Sequence, residues 1–185
     1  FVIRPAQLLT EIELSDGRSL VSRKPVHQCE TLSFEIENPP LWYVRGYGKQ
    51  PLQKVRFTLL EDGREVDRYE ERIGFRELTV LNDEKNGKFC FVCNGLEVFA
   101  MGADVIPQDQ ILPNITERRT EYMLRQCVRA NFNCIRIWGG GVYPDDYFLN
   151  RCDELGLVLW QDFMFACAAY RLTPQLAASI KTELR

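Results

Sequence analysis

Arg136, Trp138 and the consecutive glycines Gly139, Gly140 and Gly141 are the residues of this chain best placed to do chemistry. They close the apolar run of residues 134–138 and precede a helix-like segment that ends at Gly156. A buried strand that breaks into three glycines needs open backbone space at its C-terminal end, and glycine supplies it by lacking a Cβ. In alternating β/α folds those strand ends are where substrates bind. Asp104 and Asp162 stand at the ends of two further strand-like runs. An acidic side chain there can accept hydrogen bonds from a ligand or cap its own loop.

Other chemistries have less support. His27 is the only histidine, which excludes a zinc site built from several histidines within this chain. It also excludes any serine–histidine triad whose base is not His27, a residue whose polar strand-like surroundings suit the surface. Cys90 and Cys93 form a C-x-x-C inside a strand-like run. Residues three apart on a strand point to opposite faces, so burial fits them better than redox or metal chemistry. Seven cysteines in 185 residues favour free thiols over a disulfide framework.

The elements that must position these residues fall into two halves. Residues 1–80 alternate apolar and polar with tight turns between. Residues 7–14 form one strand. Residues 31–37 form another, with Leu32, Phe34 and Ile36 on one face. Residues 54–60 and 66–73 pair across Glu61-Asp-Gly63. Short strands without helical period predict an antiparallel immunoglobulin-like β-sandwich, of which about five of the usual ~7 strands are visible. Residues 81–185 read differently. Residues 88–93 and 96–101 make a hairpin around Asn94-Gly95, and the second strand continues to Asp104. A helix begins near Asn114-Ile-Thr-Glu117 with capping-box spacing and carries Met123, Leu124, Cys127 and Val128 on one stripe. Strand 134–138, a helix over 145–155 with Phe148, Cys152 and Leu155 inward, strand 157–160 and a last helix from Thr173-Pro174 with Leu176, Ile180 and Leu184 one turn apart complete a β-α-β-α-β-α order. Short connections in that order predict a parallel sheet. Three strands do not close a barrel, and the last would be an apolar edge.

Net charge is −3 with no run of like charges, and 45% of residues are apolar. Neither an affinity for nucleic acid nor one for an anionic membrane follows, and no apolar stretch is long enough to span a bilayer. The opening Phe1-Val-Ile-Arg-Pro carries no initiator methionine, so an excerpt of a longer chain is expected, with compartment and oligomeric state left open.

The motifs resemble glycoside hydrolase family 2, and within it the β-mannosidases. The resemblance rests on Asn38-Pro-Pro-Leu-Trp42, Gly46-Tyr-Gly48-Lys-Gln-Pro51-Leu52, Ile73-Gly-Phe-Arg76, and Asn133-Cys-Ile-Arg136 followed by Tyr143-Pro144, Asp153 and Gly156. Trp138-Gly-Gly-Gly141 and Trp160-Gln-Asp-Phe-Met-Phe-Ala-Cys167 are the β-mannosidase-like blocks. Gly102-Ala-Asp104-Val105-Ile-Pro107 departs from the family pattern, which has Trp where Val105 stands. This is expected to remove an aromatic wall near the pocket. Trp42-Tyr-Val44 replaces the usual Trp-Trp-Pro, a change expected to touch packing between domains.

The resemblance implies the end of the immunoglobulin-like sandwich over 1–80 and the N-terminal part of a TIM (β/α)8 barrel over 81–185. It implies a retaining exo-β-mannosidase acting on terminal β-mannose of a β-mannoside oligosaccharide, with no metal or organic cofactor. Such enzymes use two carboxylates about 5–5.5 Å apart, both glutamates on later barrel strands, the acid/base one following an Asn. No Asn-Glu dipeptide occurs here, and the last glutamates, Glu154 and Glu183, lie in helix patterns. Catalytic residues are therefore expected outside this chain, which should be inactive alone. Trp138, Asp162, Arg136 and Asp104 are the expected substrate-binding residues. Trp138 would stack on a pyranose and offer its N–H. Arg136 would point into the barrel and need a carboxylate partner from beyond this chain, or else serve a structural salt bridge. The glycines permit close approach of a sugar or serve only the turn. Trp42 and Tyr43 form a carbohydrate face or, more in keeping with their Pro- and Gly-rich setting, pack between domains. The rival readings are another family 2 glycosidase and a non-catalytic carbohydrate- or partner-binding module.

Overall fold

The computed structural model describes residues 6–26 and 31–183; His27, Cys29 and Leu184 lie outside them. Strands β1 (Ala6–Glu13), β2 (Ser19–Val26), β3 (Gln53–Glu61) and β4 (Arg64–Ile73) form one antiparallel sheet in the order β2-β1-β3-β4. Period-two patterning drives it: Ile12, Leu14 and Val55 turn to one face and bury there, packed against Phe57, Ile73 and Phe75. The β3–β4 turn has Asp62 at φ 49° and Gly63 at φ 78°, the left-handed pair that a two-residue hairpin requires. β2 escaped the sequence reading because Arg23-Lys-Pro25 interrupts its apolar alternation.

Residues 31–37 are not a strand, which corrects the expectation above. Leu32, Phe34 and Ile36 are half-buried between exposed neighbours, and Phe34 and Ile36 pack against the core of the four-stranded sheet. The alternation reported which side meets the core. It could not report a ladder partner, and none exists among the described residues.

A second antiparallel sheet joins the halves: β5 (Leu78–Asp83), β6 (Lys88–Cys93) and β7 (Leu96–Val98). β5 was not anticipated, and residue 80 falls inside it. The strand expected over 96–101 is also corrected, because it stops at Val98 and a separate strand, β8 (Gly102–Val105), starts four residues later in another sheet. Asn133, 1% exposed, enforces the break. Its Nδ2 donates to Phe99 O at 3.0 Å, and its Oδ1 accepts from Met101 N at 2.8 Å. Those backbone groups are thereby satisfied without a ladder.

The remaining elements are α1 (Glu117–Arg129), β9 (Cys134–Ile137), α2 (Asp146–Leu155), β10 (Val158–Gln161) and α3 (Pro174–Glu183). β8, β9 and β10 form the parallel sheet in the order β10-β9-β8, as the βα alternation predicts. Thr116, not Asn114, caps α1 by accepting from Arg119 N, and Asn114 belongs to a preceding 3-10 turn. Asp145 caps α2 through Phe148 N at 2.9 Å. Leu124, Ile135, Ile137, Phe148, Cys152 and Leu157 make the core between the sheet and α1 and α2.

Trp42 settles its own alternatives in favour of packing. It is 1% exposed, its Nε1 donates to Asp153 O at 2.7 Å, and the Arg76 guanidinium lies 4.5 Å from its ring centre. Arg76 in turn pairs with Asp153 at 3.2 Å. The β2–β3 connection, through Trp42, and the segment after β4, through Arg76, are thus both clamped to the end of α2.

Candidate functional site at the C-terminal ends of the parallel strands

The two faces of the parallel sheet differ in company. Ile135, Ile137, Val105 and Leu159 face α1 and α2. Alternation sends Arg136 to the other face. The register sets Asp104 beside it on β8 and Trp160 beside it on β10, so three sequence-distant side chains form one row. Asp162 follows β10, its N–H donating to Ile137 O at 3.1 Å, and Trp138 follows β9.

Arg136 is the hub. Nε donates to Asp162 Oδ1 at 3.1 Å and Nη2 to Asp162 Oδ2 at 2.7 Å, a bidentate fork. Nη1 donates to Asp104 Oδ2 at 3.0 Å. The hydrogen bonds to Asp162 first, and to Asp104 second, raise the guanidinium pKa above its ordinary value. Two expectations are corrected. Carboxylate partners for Arg136 are present in this chain, and the side chain is not buried, with 40% of it exposed. The signal was missed because Asp162 lies 26 residues away, and only the parallel register aligns the two.

Asp162 Oδ2 also accepts from Gly139 N at 3.2 Å, tying the loop after β9 to that after β10. The glycines serve close packing. A Cβ on Gly140 would come within 2.0 Å of the Trp138 ring, and one on Gly139 within 2.5 Å of Phe163 O. Trp138 is half-buried. Together with Arg136, Asp162, Phe163, Phe165 and Cys167 it lines an open cavity of about 560 Å³.

The structure therefore brings together all four expected residues. Sequence reasoning left out Trp160, which faces the same side and meets Phe91 edge-on at 5.7 Å and Phe89 at 6.0 Å. Its spacing of two from Asp162 was the available signal. Val105 is the reverse case. It faces the helices, so the departure from Trp alters helix-side packing and takes no wall from this cavity.

Neither late glutamate reaches the row. Glu154 on α2 pairs with Arg72 and Arg151. Glu183 on α3 lies near Tyr143, and its carboxylate raises that phenol's pKa. Among the described residues no group of three or more His, Cys, Asp or Glu side chains is arranged to hold a metal. No helix among them is long and apolar enough to cross a membrane.

Known proteins match this arrangement. Residues 6–76 fit the family model described as glycosyl hydrolases family 2. Beta-mannosidase B of Thermothelomyces thermophilus is 42% identical over 157 residues, 83% of this chain and 18% of that protein. Beta-mannosidase B of Aspergillus terreus is 38% identical over 162 residues, 86% of this chain and 19% of that one. The chain thus spans about a fifth of the length of the curated relatives it matches. The crystal structure of the β-D-mannosidase from Dictyoglomus thermophilum superposes with a TM-score of 0.82 at 35% identity, over 97% of this chain and 23% of that one. A β-glucuronidase from Parabacteroides merdae shares the fold at a TM-score of 0.70 and 23% identity, over 88% and 20% of the two chains.

Proposed function

The chain belongs to the glycosyl hydrolases of family 2, and from that premise we propose that it forms part of a retaining exo-β-mannosidase that hydrolyses terminal β-linked mannose. The observation that carries the reading is the row opposite α1 and α2, where Trp138 stands beside the Asp104–Arg136–Asp162 cluster at the strands' C-terminal ends. An indole offers an apolar plane to the C–H face of a pyranose. The exposed charge of Asp104 beside it suits the hydroxyls at the ring edge. Asp104 is the most open member of the cluster, with 54% of its side chain exposed.

In this reading residues 102–183 begin a TIM (β/α)8 barrel. Residues before Gly74 are the C-terminal part of an immunoglobulin-like sandwich, and β5–β7 form the connection. The open face would line the barrel interior. The nucleophile and acid/base glutamates come from later strands, so this chain binds one side of the sugar and has no turnover alone. Support for mannose over other sugars comes from the names of the relatives near 40% identity and from the Trp138-Gly-Gly-Gly141 block.

The test is hydrolysis of an aryl β-mannoside by this chain and by a polypeptide extended downstream to the relatives' length. Turnover in the extended form alone is expected. Turnover by the short chain would refute the placement of the glutamates, and none in either would favour a different sugar or a non-catalytic carbohydrate-binding module.

A further inference from the structure

Trp138 lies one residue past β9, which ends at Ile137. Its N–H donates to Val105 O at 3.2 Å and its carbonyl accepts from Gly141 N at 3.1 Å, which leaves its side chain to be set by the loop that follows. Its ring rests over Gly140, close enough that a Cβ there would stand 2.0 Å from Cη2 and Cζ3. Gly139, between them, is tethered by its N–H to Asp162 Oδ2 at 3.2 Å. Asp162 is itself fixed by the Arg136 fork at 3.1 and 2.7 Å, and the guanidinium's remaining nitrogen is tied to Asp104 at 3.0 Å. Both Asp162 oxygens therefore already accept from the protein, and its side chain is only 21% exposed. A carboxylate so engaged, and more enclosed than its neighbours, suits a brace better than a hydroxyl receptor.

We infer that Asp162 is a positioning residue: through the Gly139 N–H it sets the loop, and hence the angle at which Trp138 meets the sugar ring. Arg136 and Asp104 fix Asp162 in turn. This deepens the proposed function and rests on it for the identity of the sugar. The geometry makes Gly140 part of the same device, as the seat of the indole. Asparagine breaks the fork, because with its amide oxygen toward Gly139 N–H and Arg136 Nη2 its N–H₂ faces the Arg136 Nε donor.

The test labels the 185-residue chain with 5-fluorotryptophan and follows its three tryptophan resonances by fluorine NMR, each assigned by a Trp→Phe replacement. Asp162→Asn is expected to shift and broaden the Trp138 line while those of Trp42 and Trp160 stay. Gly140→Ala is expected to move the same line with the Arg136–Asp162 pair intact. Arg136→Lys, which keeps the charge but loses the fork, should reproduce the Asp162→Asn result. An unmoved Trp138 line in Asp162→Asn overturns the inference. So does equal movement of all three lines in both Asp162→Asn and Arg136→Lys, since that reports general unfolding. In the extended polypeptide Asp162→Asn should raise KM for an aryl β-mannoside by roughly tenfold, more than it lowers kcat. If the mannoside reading fails while the positioning holds, the Trp138 line still moves and no extended form hydrolyses the substrate.

Discussion

One three-stranded sheet presents two faces built from the same strands. Toward α1 and α2 it shows Val105, Ile135, Ile137 and Leu159, tightly packed. Toward the other side it shows Asp104, Arg136 and Trp160 with Trp138 and Asp162 at the rim. The first face holds the fold together by removing apolar surface from water. The second leaves charges partly in solvent and joins them by geometry. At the strands' C-terminal ends packing and binding are thus separated by a single peptide step, while nearer the N-terminal ends Cys134 and Val158 on the second face bury against Trp42, Val44, Cys93 and Val98.

The largest expected break in that comparison comes from the helix side. Ile135 is fully buried, and Ile135→Ala should cost about 2–5 kcal/mol, read as a lower denaturant midpoint. Arg136→Ala, one residue on, should cost roughly 0–1 kcal/mol, since its ion pairs are partly exposed and screened. A loss as large as that of Ile135→Ala would show that the open face is structural.

Thiol chemistry sharpens the contrast at smaller amplitude. Cys152 is 1% exposed on the helix side, and burial pushes its pKa well above the ordinary thiol value. Cys167 lines the open cavity and is exposed. Brief iodoacetamide treatment of the folded chain should modify Cys167 and spare Cys152, as read by peptide mass spectrometry.

The smallest effect is electrostatic. The hydrogen bond from Arg151 holds the Glu121 carboxylate below its ordinary value across the α1–α2 contact. Its stabilisation is complete above the unfolded carboxylate range and fades as pH falls through the lowered folded value. Glu121→Gln should therefore lower the melting temperature slightly at neutral pH, with the difference from wild type vanishing in acid.

Much of both faces was legible in the sequence, because alternation and helical stripes report sidedness directly. The Met123–Val128 stripe, the Asp145 end of α2 and the βα order all follow from period and caps. What failed depended on partners far along the chain. Residues 31–37 alternate without a ladder, the run 96–101 is cut by the Asn133 amide, and Arg136 finds Asp162 only through strand register. Val105 could be placed on the helix side only once its pairing with Ile137 was seen.

The most direct measurement is kcat/KM for an aryl β-mannoside in the extended polypeptide with and without Trp138→Ala. Stacking and its associated hydrogen bond together are worth about 1.5–3 kcal/mol. A fall of about tenfold or more is therefore predicted, while the denaturant midpoint stays nearly unchanged. An unchanged kcat/KM would contradict the account, because the open face would then hold no part of the sugar site.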